Sequence, residues 1–212
     1  MTNFAAIKKS ELAYKLIRAQ ILSGERAPGS SIDQEVMAKS LGLSTTPVRE
    51  ALRRLESERL VNTRAHRDTV VAPASAADLE HVYQLRLQLD PLAASLAARN
   101  VSPGIKGNLR KMIETPVGEM ATEELDFNRA LHSEIYSACG NPVLVEILDR
   151  LWDQSDRYRM ITIAREHSSD IALREHAAIV DAVLDGNSRL AARLMRQHVA
   201  DSLARIREAA DR

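Results

Sequence analysis

The chain has 212 residues with 29 Lys+Arg balanced by 29 Asp+Glu, and it is 45% hydrophobic but only 3% aromatic, so its core is built from aliphatic side chains and alanine. A single cysteine, Cys139, excludes an internal disulfide and fits a reducing cytoplasm. The opening MTNFAAIKKSE lacks an apolar signal core and no run approaches ~18 uninterrupted apolar residues, so neither secretion nor a membrane span is expected.

The zero net charge conceals an asymmetry. Residues 1–75 carry 12 basic against 8 acidic side chains and residues 76–212 carry 17 against 21, a balance of +4 and −4. Two domains with different partners are implied, the front one facing a polyanion, although an excess of this size also arises by chance.

In chain order, residues 8–23 place Leu12, Leu16, Ala19 and Ile21 at helical spacing and stop at Gly24. Pro28-Gly29 marks a turn. A second helix opens near Ser31 or Asp33, where Ser31 and Gln34 have capping-box spacing; Val36, Met37 and Leu41 supply its apolar face and Gly42 ends it. A third helix follows almost at once, capped by Ser44, Thr45 or Thr46. Pro47 falls in its first turn, where a missing N–H costs nothing. Val48, Ala51, Leu52 and Leu55 form its buried stripe, while Arg49 and Arg53 share an exposed face. Helix, glycine turn and basic helix make a helix-turn-helix. LVNT and TVVAP then read as two short strands around the charged turn RAHRD, a wing.

Such a basic helix suits the DNA major groove: its hydroxyls and free N–H groups grip phosphate, and arginine pairs with guanine O6 and N7. The same pattern also fits a small soluble helical domain whose arginines merely stay solvated. The residues PGSSIDQEVMAKSLGLSTTPVREALRRLESERLV resemble the winged helix-turn-helix of the GntR family of bacterial transcription regulators, over about residues 10–73. That resemblance implies that Ser44, Thr45, Thr46 and Arg49 face DNA, joined by the wing residues around Arg64, His66 and Arg67; Arg53, on the same exposed face as Arg49, is a further candidate. The chain departs from the family pattern at Thr45, where arginine is common, and at Arg59 and Asp68, where glycine is usual.

Pro73 to Ser75 read as a linker, dividing the chain into a DNA-binding domain over 1–74 and a second domain over 75–212. The second is helical throughout: about 76–99 with Pro91 as a kink, then 104–114, 119–138, 142–165, 168–185 and 188–210. With no long strand, the fold expected is mainly α, a winged helix-turn-helix joined to an all-helical bundle.

Histidines in the bundle attract attention by their spacing. His132 lies one turn after Asn128. His176 and His198 each stand eleven residues from Asn187, in the turn between the last two helices, so an antiparallel hairpin sets both about 16 Å from the turn at 1.5 Å per residue. These side chains converge as a metal site with open positions, or they are scattered histidines like His66, His81 and His167. YQLRLQLDPLAASLAA, NRALHSEIYSACGNPVL and REHAAIVDAVLDGNSRLAARLMRQHV resemble the FCD domain of the FadR subfamily, over about residues 78–207, with Asp90 where glutamate is normal. The resemblance implies a divalent transition metal, zinc or nickel, on Asn128, His132, His176 and His198. It also implies a homodimer that binds a palindromic operator on double-stranded DNA.

With an amide in place of a carboxylate ligand, the ion keeps its full charge and draws an anion. A small organic acid is therefore the expected effector, its far end clamped by Arg86, Arg157 or Arg205. An alternative, a metal-dependent hydrolase or isomerase, lacks an obvious general base, since Glu134 points largely away from His132 and Asp201 is only a weak alternative. A purely structural metal, or none, is a third reading.

Overall fold

A computed structural model of the chain describes residues 9–63, 69–73, 75–115, 121–165 and 170–211. Two compact units make up the chain, Met1–Ser75 and Ala76–Arg212.

The first unit holds helices α1 (Lys9–Leu22), α2 (Gln34–Ser40) and α3 (Thr45–Ser57), with strands β1 (Ser31–Ile32), β2 (Val61–Thr63) and β3 (Thr69–Val71). The strands form an antiparallel sheet in the order β1-β3-β2, with Ile32 opposite Thr69 and Val61 opposite Val71. Strand β1 decides between the two expected starts of the second helix in favour of Asp33. Ser31 pairs with Val70, and Asp33 is the cap, its Oδ1 accepting from the Glu35 and Val36 amides at 2.8 and 2.9 Å.

The apolar face of α1 also differs from expectation. Leu12 and Leu16 are 39% and 40% exposed, while Ala13, Tyr14, Ile17 and Ile21 are buried. The reason is a polar anchor. Tyr14 Oη donates to Glu58 at 3.0 Å, and Arg54 bonds both Glu58 and Glu11 while its guanidinium lies 3.6 Å from the Tyr14 ring centroid. Turning Tyr14 toward α3 rotates the two leucines outward. In α2 the face likewise shifts, leaving Val36 exposed and burying Met37 and Ala38. The α3 stripe of Val48, Ala51, Leu52 and Leu55 is buried as its spacing requires.

The described residues of the second unit form a helical bundle of α4 (Ala76–Asn100), α5 (Pro103–Glu114), α6 (Ala121–Ser137), α7 (Pro142–Arg165), α8 (Asp170–Leu184) and α9 (Ser188–Asp211). Helix α4 continues through Pro91 and packs most extensively against α9, with α7 also beside it. Ala93, Ala94, Ala97 and Ala98 are buried on α4, and small side chains there let neighbouring backbones approach. Helices α6 and α7 pair, as do α8 and α9. Among the described residues, no helix is long and apolar enough to cross a membrane.

Candidate metal centre and nucleic-acid face

Helix α6 contributes Asn128 and His132, α8 contributes His176 and α9 contributes His198. All four are buried. The ligand nitrogens of the three imidazoles lie within 4.8 Å of one another, and His132 Nε2 is 3.4 Å from His176 Nε2. Two imidazoles on one tetrahedral ion, each at about 2.05 Å, stand about 3.3 Å apart, so that spacing suits a shared ion. The hairpin register expected from Asn187 holds: the His176 and His198 ring centroids are 4.6 Å apart.

Hydrogen bonds fix two of the tautomers. Tyr136 Oη donates to Asp90 Oδ2 at 2.9 Å, so it receives the Nδ1–H of His132, also at 2.9 Å, and His132 Nε2 keeps its lone pair. Asp90 is held in turn by Arg86, whose Nη2 donates at 2.8 Å. On the other side, His198 Nδ1 donates to Glu175 Oε2 at 2.6 Å, and Arg205 grips both Glu175 oxygens at 3.1 and 3.2 Å. Burial raises the Glu175 carboxyl, but the bonds from His198 and Arg205 outweigh it and hold it at about 2. Burial, and then the other imidazoles, push His132 and His176 well below the ordinary imidazole value. Burial lowers His198 as well, against the pull of Glu175. Three neutral imidazoles are the protonation state that a cation requires.

The remaining polar atoms also suit an ion. Asn128 Oδ1, one turn before His132, is buried without a hydrogen-bond partner, as is His176 Nδ1. A buried amide oxygen left unpaired costs roughly 1–3 kcal/mol unless something binds it. The donor set therefore fits a divalent transition metal.

Of the arginines expected near an effector, Arg86 is committed to Asp90 and also donates to Ser155 at 3.1 Å, and Arg205 is committed to Glu175. The Arg157 side chain lies outside the described residues. On the nucleic-acid face, Ser44 is the cap residue of α3 and makes no side-chain cap bond. Ser44, Thr45, Thr46, Arg49 and Arg53 are all exposed. Arg49 and Thr45 edge a cleft with Asp33 and Glu35 at the start of α2. Arg64, His66, Arg67 and Asp68 lie outside the described residues.

Comparison with known proteins decides the family. Residues 9–71 match the bacterial regulatory proteins of the gntR family, and residues 78–201 match the FCD domain. The chain belongs to the GntR family of transcriptional regulators, in the FCD-containing, FadR-like class. This GntR/FCD chain is 27% identical to the Escherichia coli transcriptional repressor GlaR, over 92% of its own length and 94% of that protein's. It is 30% identical to a probable D-xylose utilization operon repressor of Paenarthrobacter nicotinovorans, over 85% of this chain and 81% of that one. Among solved structures, E. coli McbR/YncC shares the fold with a TM-score of 0.77 at 19% identity, covering 95% and 98% of the two chains. The family is one of DNA-binding regulators rather than enzymes.

Sequence reasoning on this regulator missed the residues behind the histidines. Tyr136 stands one turn after His132, a spacing that offered the contact in advance. Glu175 precedes His176 directly, yet it serves His198 across the hairpin, which no local pattern reveals. Trp152 and Arg159, seven apart on α7, also went unread. The His132 ring centroid lies 4.8 Å from that of Trp152, and the Arg159 guanidinium lies 4.4 Å from the indole centroid.

Proposed function

We propose that this protein is a cytoplasmic repressor whose hold on DNA is relieved by a small organic acid bound at a metal in the FCD domain. The observation that carries the reading is the convergence of three neutral imidazoles beside an unpartnered amide oxygen. Asn128, His132, His176 and His198 hold the ion, zinc or nickel. When bound, that ion supplies a double positive charge and open coordination positions at which a carboxylate competes with water. Glu175 and the Tyr136–Asp90 pair keep the His198 and His132 rings turned so that Nε2 faces the centre.

At the other end of the chain, α3 enters the major groove. Ser44, Thr45 and Thr46 contact phosphate at its start, while Arg49 and Arg53 reach base edges or backbone, with Arg64, His66 and Arg67 of the wing alongside. A homodimer places two such helices on a palindromic operator. Exposed apolar side chains support it: Leu85 and Leu92, two turns apart on α4, and Val143 and Ile147, one turn apart on α7. The acid acts by preferring one separation of the two heads, since a ligand shifts an equilibrium only by its differential affinity.

The test uses DNA recovered by selection from a random library. Fluorescence anisotropy with zinc-loaded protein should show release on adding the acid that stabilises the protein most in a thermal-shift panel. The chelator-stripped protein should stay bound. Release that is equal with and without metal would remove the ion from the mechanism.

A further inference from the structure

The start of α2 and the exposed face of α3 border one cleft of about 420 Å³, and its two walls carry opposite charge. Thr45 and Arg49 come from α3, while Asp33, Gln34 and Glu35 come from the cap and first turn of α2. The two carboxylates are differently placed. Asp33 serves its own helix, its Oδ1 accepting from the Glu35 and Val36 amides. Glu35 is exposed, and among the described residues its side chain makes no hydrogen bond or ion pair. Arg49 across the cleft is likewise exposed and unpaired. The contrast on the same helix is Arg54, whose charge is answered by Glu11 and Glu58. An acid and a base thus stand free on facing walls, beside the residues of α3 that meet DNA.

A duplex offers a carboxylate few partners. Phosphate repels it, and an ionised carboxylate can only accept hydrogen bonds. The donors on the major-groove edge are the amino groups of cytosine and adenine. Adenine sets the N7 acceptor beside its amino group, so the second carboxylate oxygen meets a lone pair there. Cytosine presents N4 with no acceptor of its own in the groove. Its partner guanine offers O6 and N7, the acceptors that a guanidinium takes. A cleft with a guanidinium on one wall and a carboxylate on the other therefore matches the order of acceptors and donor along a G·C edge.

We infer that Glu35 is a base-reading residue: its carboxylate accepts from the N4 amino group of a cytosine at or next to the base pair that Arg49 contacts. The inference rests on the proposed entry of α3 into the major groove, and it adds to that face a reader supplied by α2.

The test uses full-length wild type, Glu35→Gln, Glu35→Ala and Arg49→Ala. Each protein selects sites from a random duplex library, and affinities are then measured on the wild-type site and on all its single base-pair substitutions. The wild-type site should carry a cytosine whose replacement weakens binding about tenfold or more. Glu35→Gln should move the preference at that position to adenine, since glutamine pairs with N6 and N7. Glu35→Ala should lose the choice there and keep every other position within about threefold. Arg49→Ala should lose a different position, within one base pair of the first.

Unchanged preferences in both Glu35 variants, with Arg49→Ala still losing its own position, overturn the assignment and leave the groove reading standing. Equal tightening of Glu35→Ala on all sequences overturns it too, since the carboxylate then only repels phosphate. So does loss of the Arg49 position in Glu35→Ala, which would make Glu35 a support for that guanidinium. An Arg49→Ala protein that matches the wild type in affinity and in every preference defeats the groove reading itself, and the assignment with it.

Discussion

At the residue scale, two side chains occupy positions whose cost or purpose the backbone makes plain. Arg59 adopts a φ of 58°, the left-handed region, between the end of α3 and the sheet. Family members usually place glycine there, and the conformation explains why. A non-glycine residue in this region costs roughly 1–2 kcal/mol, offset in part by the extra freedom that glycine has when unfolded. Arg59→Gly should therefore stabilise the protein by roughly 0.5–1 kcal/mol in chemical denaturation. A loss of stability would mean that the arginine side chain makes a compensating contact. Glu175 is the second case. It sets the His198 tautomer from across the hairpin and is itself clamped by Arg205. Removing its charge in Glu175→Gln should weaken zinc binding roughly ten- to hundred-fold, the usual effect of losing an outer partner of a ligating histidine. Unchanged affinity in a chelator competition would show that the pair only ties α8 to α9.

At the element scale, helices were far more legible than strands. Periodicity, glycine stops and the proline at the start of α3 located every described helix, because each signal acts within a few residues. Strand β1 is only two residues long and exists because β3 offers it an edge, a long-range pairing that leaves no local trace. The same distinction explains α1. Its leucines have helical spacing, yet Tyr14 turns the helix by reaching Glu58, 44 residues away. In the bundle, the three histidines were readable because a hairpin converts equal distances from a turn into equal heights. Helix α3 provides its own test. Arg49 is exposed on its first turns, and Arg49→Ala should weaken binding to the selected DNA by roughly 1–3 kcal/mol and relax preference at one base position. A uniform loss across all sequences, with a shallower salt dependence, would assign Arg49 to phosphate instead.

At the scale of the whole molecule, a basic unit that reads DNA and an acidic unit that gathers three imidazoles belong to one chain, and the function proposed links them through an ion and an acid. That link depends first on the ion. On the function proposed, His132, His176 and His198, whose ligand atoms lie within 4.8 Å of one another, hold it, with Asn128 as the neutral fourth ligand. Because each helix supplies its ligand separately, the centre exists only when α6, α8 and α9 are packed together, and binding should stabilise the bundle as a unit. Isothermal titration of zinc into chelator-stripped protein examines this most directly. The account predicts saturation at one ion per chain, a rise in melting temperature on loading, and loss of both in His176→Ala. Binding by His176→Ala as tight as the wild type, or no saturable binding at all, would contradict it.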